Sequence, residues 1–576
     1  MAKVLADNRE PEARMSSRLP CPSTPLPSRF DSLPILTRTD IAAKIISGQL
    51  IVVHPPLVYR VPHAWLSQHP GGDLAILHYV GRDATNEIEA YHTGKTVKQR
   101  MGAWVIGKLE ALGDDGWRDM VPPVQLSMWP LPVPRITVSA PPSDDEEEKR
   151  RKMSLGPQAR VLTEELVDPP SPPEDQLPLT PAYQHHLRQS LRKLHQRIQD
   201  KGLDTPPPVL SGYGPSLILY FALGLAAIHL YRRAQSTLDY FAAAVALGLW
   251  WHQITFVAHD AGHTGLTGDW LGDRIRGLLI ADVLGGLSIG WWADNHNVHH
   301  LVTNSPEHDP DIQHLPFFAI STRFFDSVRS SYQRRILEFD GFAKRMIKHQ
   351  HKLYYIIMCF ARFNLFALSY IFLLKSFPDR RSPLFKLRLA EFVGIAVFWT
   401  WFSAVLRGID GVGNRVMYLL VSFAVTSPLH VQIVLSHFSQ PVSIAPTSLP
   451  HTELLESHAH RQLRTTMDIS CPTYLDFLHG GLNFQLPHHL FPRIPRFRFR
   501  QVAKEVEVWV KEEQELVRDG TFKGRKLKPN EGLVYKKMTF VEGNKDVLSV
   551  LKAVANQVHL LAKVAEADAK GQLHKH

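Results

Sequence analysis

The chain has 576 residues, a formal net charge of +10 and only three cysteines, Cys21, Cys359 and Cys471. That length admits more than one domain. So few cysteines exclude a disulfide framework and argue against a thiolate-held zinc or iron–sulfur site, while the positive charge calls for an anionic membrane face or a nucleic acid. Thirty histidines point instead to a metal site built from nitrogen ligands.

Residues 1–31 are polar, rich in Pro and Ser, and read as disordered. The first fifteen, MAKVLADNREPEARM, hold no apolar core, so no secretory signal peptide is expected. Residues 32–110 have the mixed composition and size of a small folded domain. Within them lies QHPGGDLAILHYVGRDATNEIEAYHTGKTV, Gln68 to Val97. His69 opens a Pro-Gly-Gly turn that lets backbone approach something flat, and His92 follows after a helical stretch. Two imidazoles facing across a cleft suit axial ligation of a haem iron, although on spacing alone two surface histidines are the commoner case.

The HPGG motif, the GRDAT stretch and the later histidine resemble the cytochrome b5 haem-binding domain. The resemblance covers about residues 36–110. It implies a small α+β fold holding haem b, with His69 and His92 as the axial ligands. Bis-histidine ligation leaves no open position on the iron, so such a domain carries electrons and does not bind oxygen.

Residues 111–181 change character. PPSDDEEEKRRKMSLG and DPPSPPEDQLPLTP mark a charged, Pro-rich linker, in which Ser154 follows a basic block and is conceivable as a phosphorylation site. The stretch AYQHHLRQSLRKLHQRIQDKGL then sets Leu187, Leu191, Leu194 and Ile198 at helical spacing among Arg and Lys. This is a basic amphipathic helix, suited to an anionic membrane surface or, alternatively, to packing on the soluble domain.

The domain from 182 to 500 carries the apolar residues that a mean hydropathy of -0.13 conceals. Four spans are expected at about 216–233, 240–258, 387–407 and 415–436. A fifth apolar stretch, about 353–376, has strongly basic flanks on both sides and carries Arg362 and Asn364 at its centre. Charge on both flanks and polar groups within argue for a re-entrant segment. Membrane spans favour an anionic membrane face as the neighbour of the positive charge, and no nucleic-acid partner is expected.

Three histidine groups accompany these segments. HDAGH sets His259 and His263 four apart, and HNVHH sets His296, His299 and His300 at relative positions 0, 3 and 4. On a helix those spacings share a face. QLPHH adds His488 and His489. Seven imidazoles exceed one ion's needs and suit two metals. An electron-carrying domain upstream favours a redox metal over zinc.

The order HxxxH, HxxHH, QxxHH resembles the three histidine boxes of membrane fatty-acyl and sphingolipid desaturases. A glutamine opening the last box and a fused haem domain are the pattern of the front-end group. The resemblance covers about residues 36–500. It implies a two-domain architecture: the α+β haem domain, then an all-α integral membrane di-iron domain with four transmembrane helices. It also implies two non-haem irons held by His259, His263, His296, His299, His300, His488 and His489, with O2 as co-substrate and no catalytic residue beyond the iron ligands. His437, at the end of the last span, and Gln485 are further candidate ligands. His252, His308 and His479 are expected to support the ligands.

WWADNHNVHHLVTNSPEHDPDIQHLP, ARFNLF and FLHGGLNFQLPHHLFPRIPR resemble the sphingolipid delta-8 desaturases, the fungal ones especially. Those act between carbons 8 and 9 of the long-chain base of ceramides, mostly giving the trans product. The alternatives are a front-end delta-5 or delta-6 acyl desaturase and a di-iron lipid hydroxylase. A non-catalytic membrane haem protein would not need complete boxes. The family further implies the endoplasmic reticulum membrane, cytosol-facing haem domain and boxes, and NADH-cytochrome b5 reductase as electron donor. Residues 501–576 are expected to be a cytosolic tail that begins with a charged helix.

Overall fold

The computed structural model describes residues 30–92, 99–126, 162–169, 180–207, 212–378, 380, 382–442, 456–518 and 533–570. The N-terminal 29 residues and Ser154 lie outside them.

The N-terminal unit is built on a four-stranded sheet of β1 (Ile35–Leu36), β2 (Leu50–His54), β3 (Leu57–Val61) and β4 (Val105–Leu109), in the order β1-β4-β3-β2. LIVVH and LVYRV are β-branched and pair antiparallel across a two-residue connection. Thr37 and Asp40 form a reciprocal cap that starts the helix Arg38–Ile46. That helix buries Ile41 and Ile45 on the sheet side, in one core with Ile51, Val53, Val58, Leu74 and Leu77.

This core does not stop at residue 110. Trp117, Met120, Val124, Leu162 and Val167 join it, and Asp168 receives both Arg38 at 2.6 Å and Arg118 at 2.7 Å. The segment after β4 thus wraps the haem-domain core. More consequentially, Val298, Leu301 and Val302 also belong to this core. They lie on and just beyond the helix Ile289–Leu301, which carries the HNVHH histidines. The N-terminal unit is docked on that helix.

The helix Pro181–Asp200 corrects the membrane-surface expectation. Tyr183, Leu187, Leu191, Leu194 and Ile198 are buried with Val502, Val506, Trp509 and Val510 of the C-terminal helix Phe499–Arg518. An apolar stripe already covered by protein has nothing left to offer lipid. Its basic residues are used on protein too. Arg188 meets Asp119 at 2.9 Å, Arg192 meets Glu89 at 2.8 Å and Lys201 meets Glu505 at 2.7 Å. The helix therefore clamps the haem domain to the C-terminal helix.

Each of the four expected spans lies in a helix long and apolar enough to cross a membrane: Gly214–Arg233, Thr237–Gly262, Leu384–Arg407 and Val412–Phe438. The expected re-entrant segment is a bent pair, Gln350–Cys359 and Ala361–Lys375, with a 68° break. Arg362, beside the break, is buried. Its guanidinium donates to the Gly285 carbonyl at 2.7 Å and lies 4.1 Å from the Trp251 ring. Protein, rather than lipid, surrounds this charge.

Two elements were not anticipated. Trp270–Leu284 and Ile289–Leu301 form a second bent pair, at 113°. A return of this pair to its starting face would leave His259, His263 and the HNVHH group at one level. Phe540–Ala567 is a fifth helix that meets the length and apolarity of a span. It buries Val547, Leu551, Val554 and Val558 in one cluster with Tyr354, Met358, Val431 and Leu435. Its leading strand Lys537–Thr539 pairs with Asp468–Ser470, one of two short strand pairs in a domain that is otherwise helical.

Candidate functional site

In the N-terminal unit, His69 and His92 face each other with ring centroids 6.1 Å apart. His69 Nδ1 donates to the Gly72 carbonyl at 2.9 Å, and His92 Nδ1 to the Ile88 carbonyl at 3.1 Å. Each bond puts the proton on Nδ1 and leaves the Nε2 lone pair for a metal. Burial lowers the pKa of His69, and burial together with the His69 neighbour holds His92 at about 4. Both rings are therefore neutral donors at physiological pH. Metal–imidazole bonds of about 2 Å on either side of one ion suit this separation, so the pair fits an axially ligated haem.

The glycines of HPGG have a second duty. Gly72 sits at φ +84°, and a Cβ there would lie 2.1 Å from Asp294 Oδ1. A Cβ on Gly71 would meet Asn297 Nδ2 at 3.3 Å. Asp294 and Asn297 lie on the HNVHH helix, so the turn also serves as a docking surface.

The membrane domain gathers its histidines from four helices. His259, at the end of Thr237–Gly262, and His263, just after it, meet His296 of Ile289–Leu301 and His488 of Gln485–Leu490. One nitrogen of each lies within 4.8 Å of the other three. Gly262 permits this, because a Cβ would fall 2.0 Å from the Trp292 ring, which packs at 5.1 and 5.2 Å from His259 and His263. A second group is His299, His437 and His489, equally close. His300 stands between the groups. Its ring stacks on His489 at 4.0 Å, and its Nε2 faces His296 Nε2 at 3.1 Å.

The nitrogens not used for support are the telling ones. Both nitrogens of His263 and His488 are buried without a hydrogen-bond partner among the described residues, as are His299 Nε2, His300 Nδ1 and His489 Nε2. Leaving one buried polar atom unpaired costs about 1–3 kcal/mol, and each of these five imidazoles can offer one nitrogen to a metal, so the set fits cation binding. Burial and then neighbouring imidazoles push His488 and His489 well below the ordinary histidine pKa, which keeps them neutral and able to ligate. The donor set is imidazole with one adjoining carboxylate, Asp311, grouped with His296 and His299. Among the described residues thiolates play no part: Cys359 contacts Ser427, and Cys471 contacts Asp476 and Asn483. Such a set fits iron.

Supporting groups hold the rings in place. His299 Nδ1 donates to Asp309 at 2.9 Å, and Asp309 is itself fixed by the Asn304 and Asp311 amides at 2.7 and 2.8 Å. His296 Nδ1 donates to Asp311 at 3.1 Å and His437 Nδ1 to the Thr465 carbonyl at 3.1 Å. Gln462 Oε1 accepts from His489 Nδ1 at 2.9 Å while its amide donates to the His300 carbonyl at 2.7 Å. Gln462 thereby ties the second box to the third.

The residues expected to support the ligands are different ones. His308 Nδ1 pairs with the Ser331 hydroxyl at 3.1 Å, and its ring lies 5.1 Å from His78 of the haem domain. His479 donates to Gln432 at 2.8 Å, and His252 packs edge-on against Phe256 at 5.2 Å. His252 is seven residues before His259, about 10 Å along the helix, so it is too deep to touch the cluster. The supports are two acids, an amide side chain and a backbone carbonyl. EHDPDIQ carries Asp309 and Asp311 beside His308, and nothing local marks the acids over the histidine. Gln485 donates its amide to the Leu482 carbonyl at 3.0 Å, shaping the turn into the last box.

Comparison with known proteins follows the same division. Residues 236–516 match the family described as fatty acid desaturase, and residues 38–110 match the cytochrome b5-like heme/steroid binding domain. The Delta 8-(E)-sphingolipid desaturase of Emericella nidulans is 37% identical, the alignment covering 93% of this chain and 97% of the relative. The protein of the same name from Candida albicans is 36% identical, with 91% and 96% covered. Delta(8)-fatty-acid desaturase 1 of Arabidopsis thaliana is 30% identical, with 92% and 94% covered.

Proposed function

The chain belongs to the fatty acid desaturase family, as an integral membrane oxidoreductase with a fused cytochrome b5-like domain, and we propose that it desaturates sphingolipids. Its reaction is then the introduction of a mainly trans double bond between carbons 8 and 9 of the long-chain base of ceramide or glucosylceramide. The observation that supports this chemistry most is the docking of a bis-histidine haem site onto the helix that also supplies His296, His299 and His300. The substrate follows the fungal relatives, which this chain matches over nearly its whole length.

In this reading His259, His263, His296 and His488 hold one non-haem iron, and His299, His437 and His489 the other, with His300 between them. Haem b and the iron pair, when bound, supply electron transfer and the O2-dependent removal of two vicinal hydrogens, with oxygen leaving as water. The chain's own residues do the rest. Asp309, Asp311, Gln462 and the Thr465 carbonyl fix which nitrogen of His299, His296, His489 and His437 is free. Trp292 and the burial of the rings exclude water. The electrons come from NADH through a cytochrome b5 reductase. Membership of the endoplasmic reticulum membrane, with haem domain and boxes cytosolic, completes the reading. A glycosylation acceptor inserted beside Arg380 should stay unglycosylated in this topology.

The deciding experiment is expression in a yeast that makes no 8-unsaturated long-chain base. Mass spectrometry should find that base. A double bond in fatty acids alone would move the substrate to an acyl chain, and an alcohol would make the enzyme a hydroxylase.

A further inference from the structure

We propose that Tyr91 is the relay through which electrons pass from the haem site to the histidine cluster, an inference that rests on the redox function proposed above. Tyr91 is the chain neighbour of His92. Its ring meets the His300 ring edge-on, with centroids 6.4 Å apart and an interplanar angle of 85°. A short through-bond path along the backbone from His92 to Tyr91 and one ring-to-ring gap therefore connect a haem ligand to a residue between the two metal groups.

The gap is held fixed from both sides. Val298 and Leu301, flanking His299 and His300, are buried in the haem-domain core. The Leu301 carbonyl accepts from Tyr79 at 3.2 Å and from Arg461 at 3.1 Å. Glu87, one turn before Tyr91, accepts from Tyr79 at 2.8 Å and lies 3.7 Å from His458. The Tyr91 hydroxyl is buried with no partner among the described residues, so no hydrogen bond accounts for where the ring is. The rival approach, on the His69 side, runs from the Pro-Gly-Gly turn to the side chains of Asp294 and Asn297, neither of them aromatic. Electron tunnelling falls exponentially with distance and is faster through bonds and close-packed π systems than across gaps. The Tyr91 route is therefore the favoured one. The step itself is simple: one electron leaves a ferrous haem, which becomes ferric, and one ferric non-haem ion becomes ferrous. No bond forms or breaks.

The test uses the full-length holoenzyme in detergent under anaerobic conditions. One electron equivalent is delivered to the haem by NADH and reductase, and reoxidation of the haem is followed by its visible absorbance. Tyr91→Leu should slow this reoxidation by about tenfold or more, whereas Tyr91→Phe and Tyr91→Trp should stay within about twofold. Haem reduction by the reductase, haem midpoint potential and bound iron should be unchanged in all three. A wild-type rate in Tyr91→Leu would overturn the proposal. So would an equal slowing in Tyr91→Phe and Tyr91→Trp, which keep the ring. The substrate reading fails separately, through absence of a new long-chain base from wild-type enzyme.

Discussion

The haem pocket and the metal-site histidines solve the same problem at different range. In the haem pocket, Nδ1 of each histidine is bound by a carbonyl three or four residues away, Gly72 for His69 and Ile88 for His92. In the membrane domain the supporting groups come from farther off. His437 is held by Thr465 and His489 by Gln462, 28 and 27 residues distant, and side-chain carboxylates do much of the work. The first site is specified by a short piece of chain. The second exists only when helices separated by hundreds of residues have packed. The two should therefore fail differently.

The largest effect is expected at the shared point of the long-range site. His488→Ala removes a donor that faces both His259, at 4.6 Å, and His300, at 4.6 Å. Desaturation should be abolished and iron content should fall, as read by metal analysis of the purified protein. His69→Ala should abolish desaturation in cells just as fully, yet leave non-haem iron in place and remove only the haem absorbance. Loss of both cofactors in both variants would mean that the two sites are not independent structures.

A support should matter less than a ligand. Asp309→Asn keeps the shape but loses the charge that holds His299, and support residues of this kind typically contribute about 10–100-fold in metal affinity or activity. Iron titration of the apo-protein should show that loss at the metal site with an unaltered haem spectrum. Asp119→Ala tests the docking in between. Asp119 accepts from Arg82 at 3.3 Å and Arg188 at 2.9 Å, all three buried. Breaking one side of a buried pair typically costs about 3–5 kcal/mol. The haem domain should loosen from the helix Pro181–Asp200, seen as faster proteolysis of the intervening segment, while haem stays bound.

Range also explains what could be read from the sequence. HPGG, HDAGH, HNVHH and QLPHH are local patterns, and the structure brings their histidines together as two sites. Four apolar segments announced themselves by length. Asp119 did not, because GWRDMVPPVQL follows the end of β4 and precedes a charged Pro-rich run, so composition assigned it to the linker. Its role appears only when Arg82 of GRDAT and Arg188 of the next helix converge on it. Leu187, Leu191, Leu194 and Ile198 gave the helix and its apolar face correctly, but periodicity cannot say whether protein or lipid covers that face. Trp270–Leu284 does not stand out in the sequence, because Asp273, Arg274, Arg276 and Asp282 interrupt its apolar run. Asp273 and Asp282 are fully buried, held by backbone amides of Leu266 and Ile289.

The smallest expected effect concerns pH, and it sharpens the comparison at its local end. Burial lowers the pKa of His92 to about 4 in the folded haem domain, against about 6.5 in an unfolded chain. A depressed folded pKa means that the unfolded state binds the proton more readily, so protonation favours unfolding. The stabilisation is complete above about pH 6.5, declines as pH falls below it, and is gone once His92 itself protonates near pH 4. Protonated imidazole cannot ligate, so haem should leave over the lower part of the same window. Denaturant unfolding of the apo-protein between pH 7 and 4, followed by near-ultraviolet circular dichroism of the haem domain, checks the first point, and the haem absorbance of the holo-protein checks the second. Burial raises the Glu87 carboxyl of the same domain to about 7, which shifts stability the opposite way, so the His92 share is the difference between wild type and His92→Leu; an identical pH dependence in the two would show that burial does not hold His92 neutral.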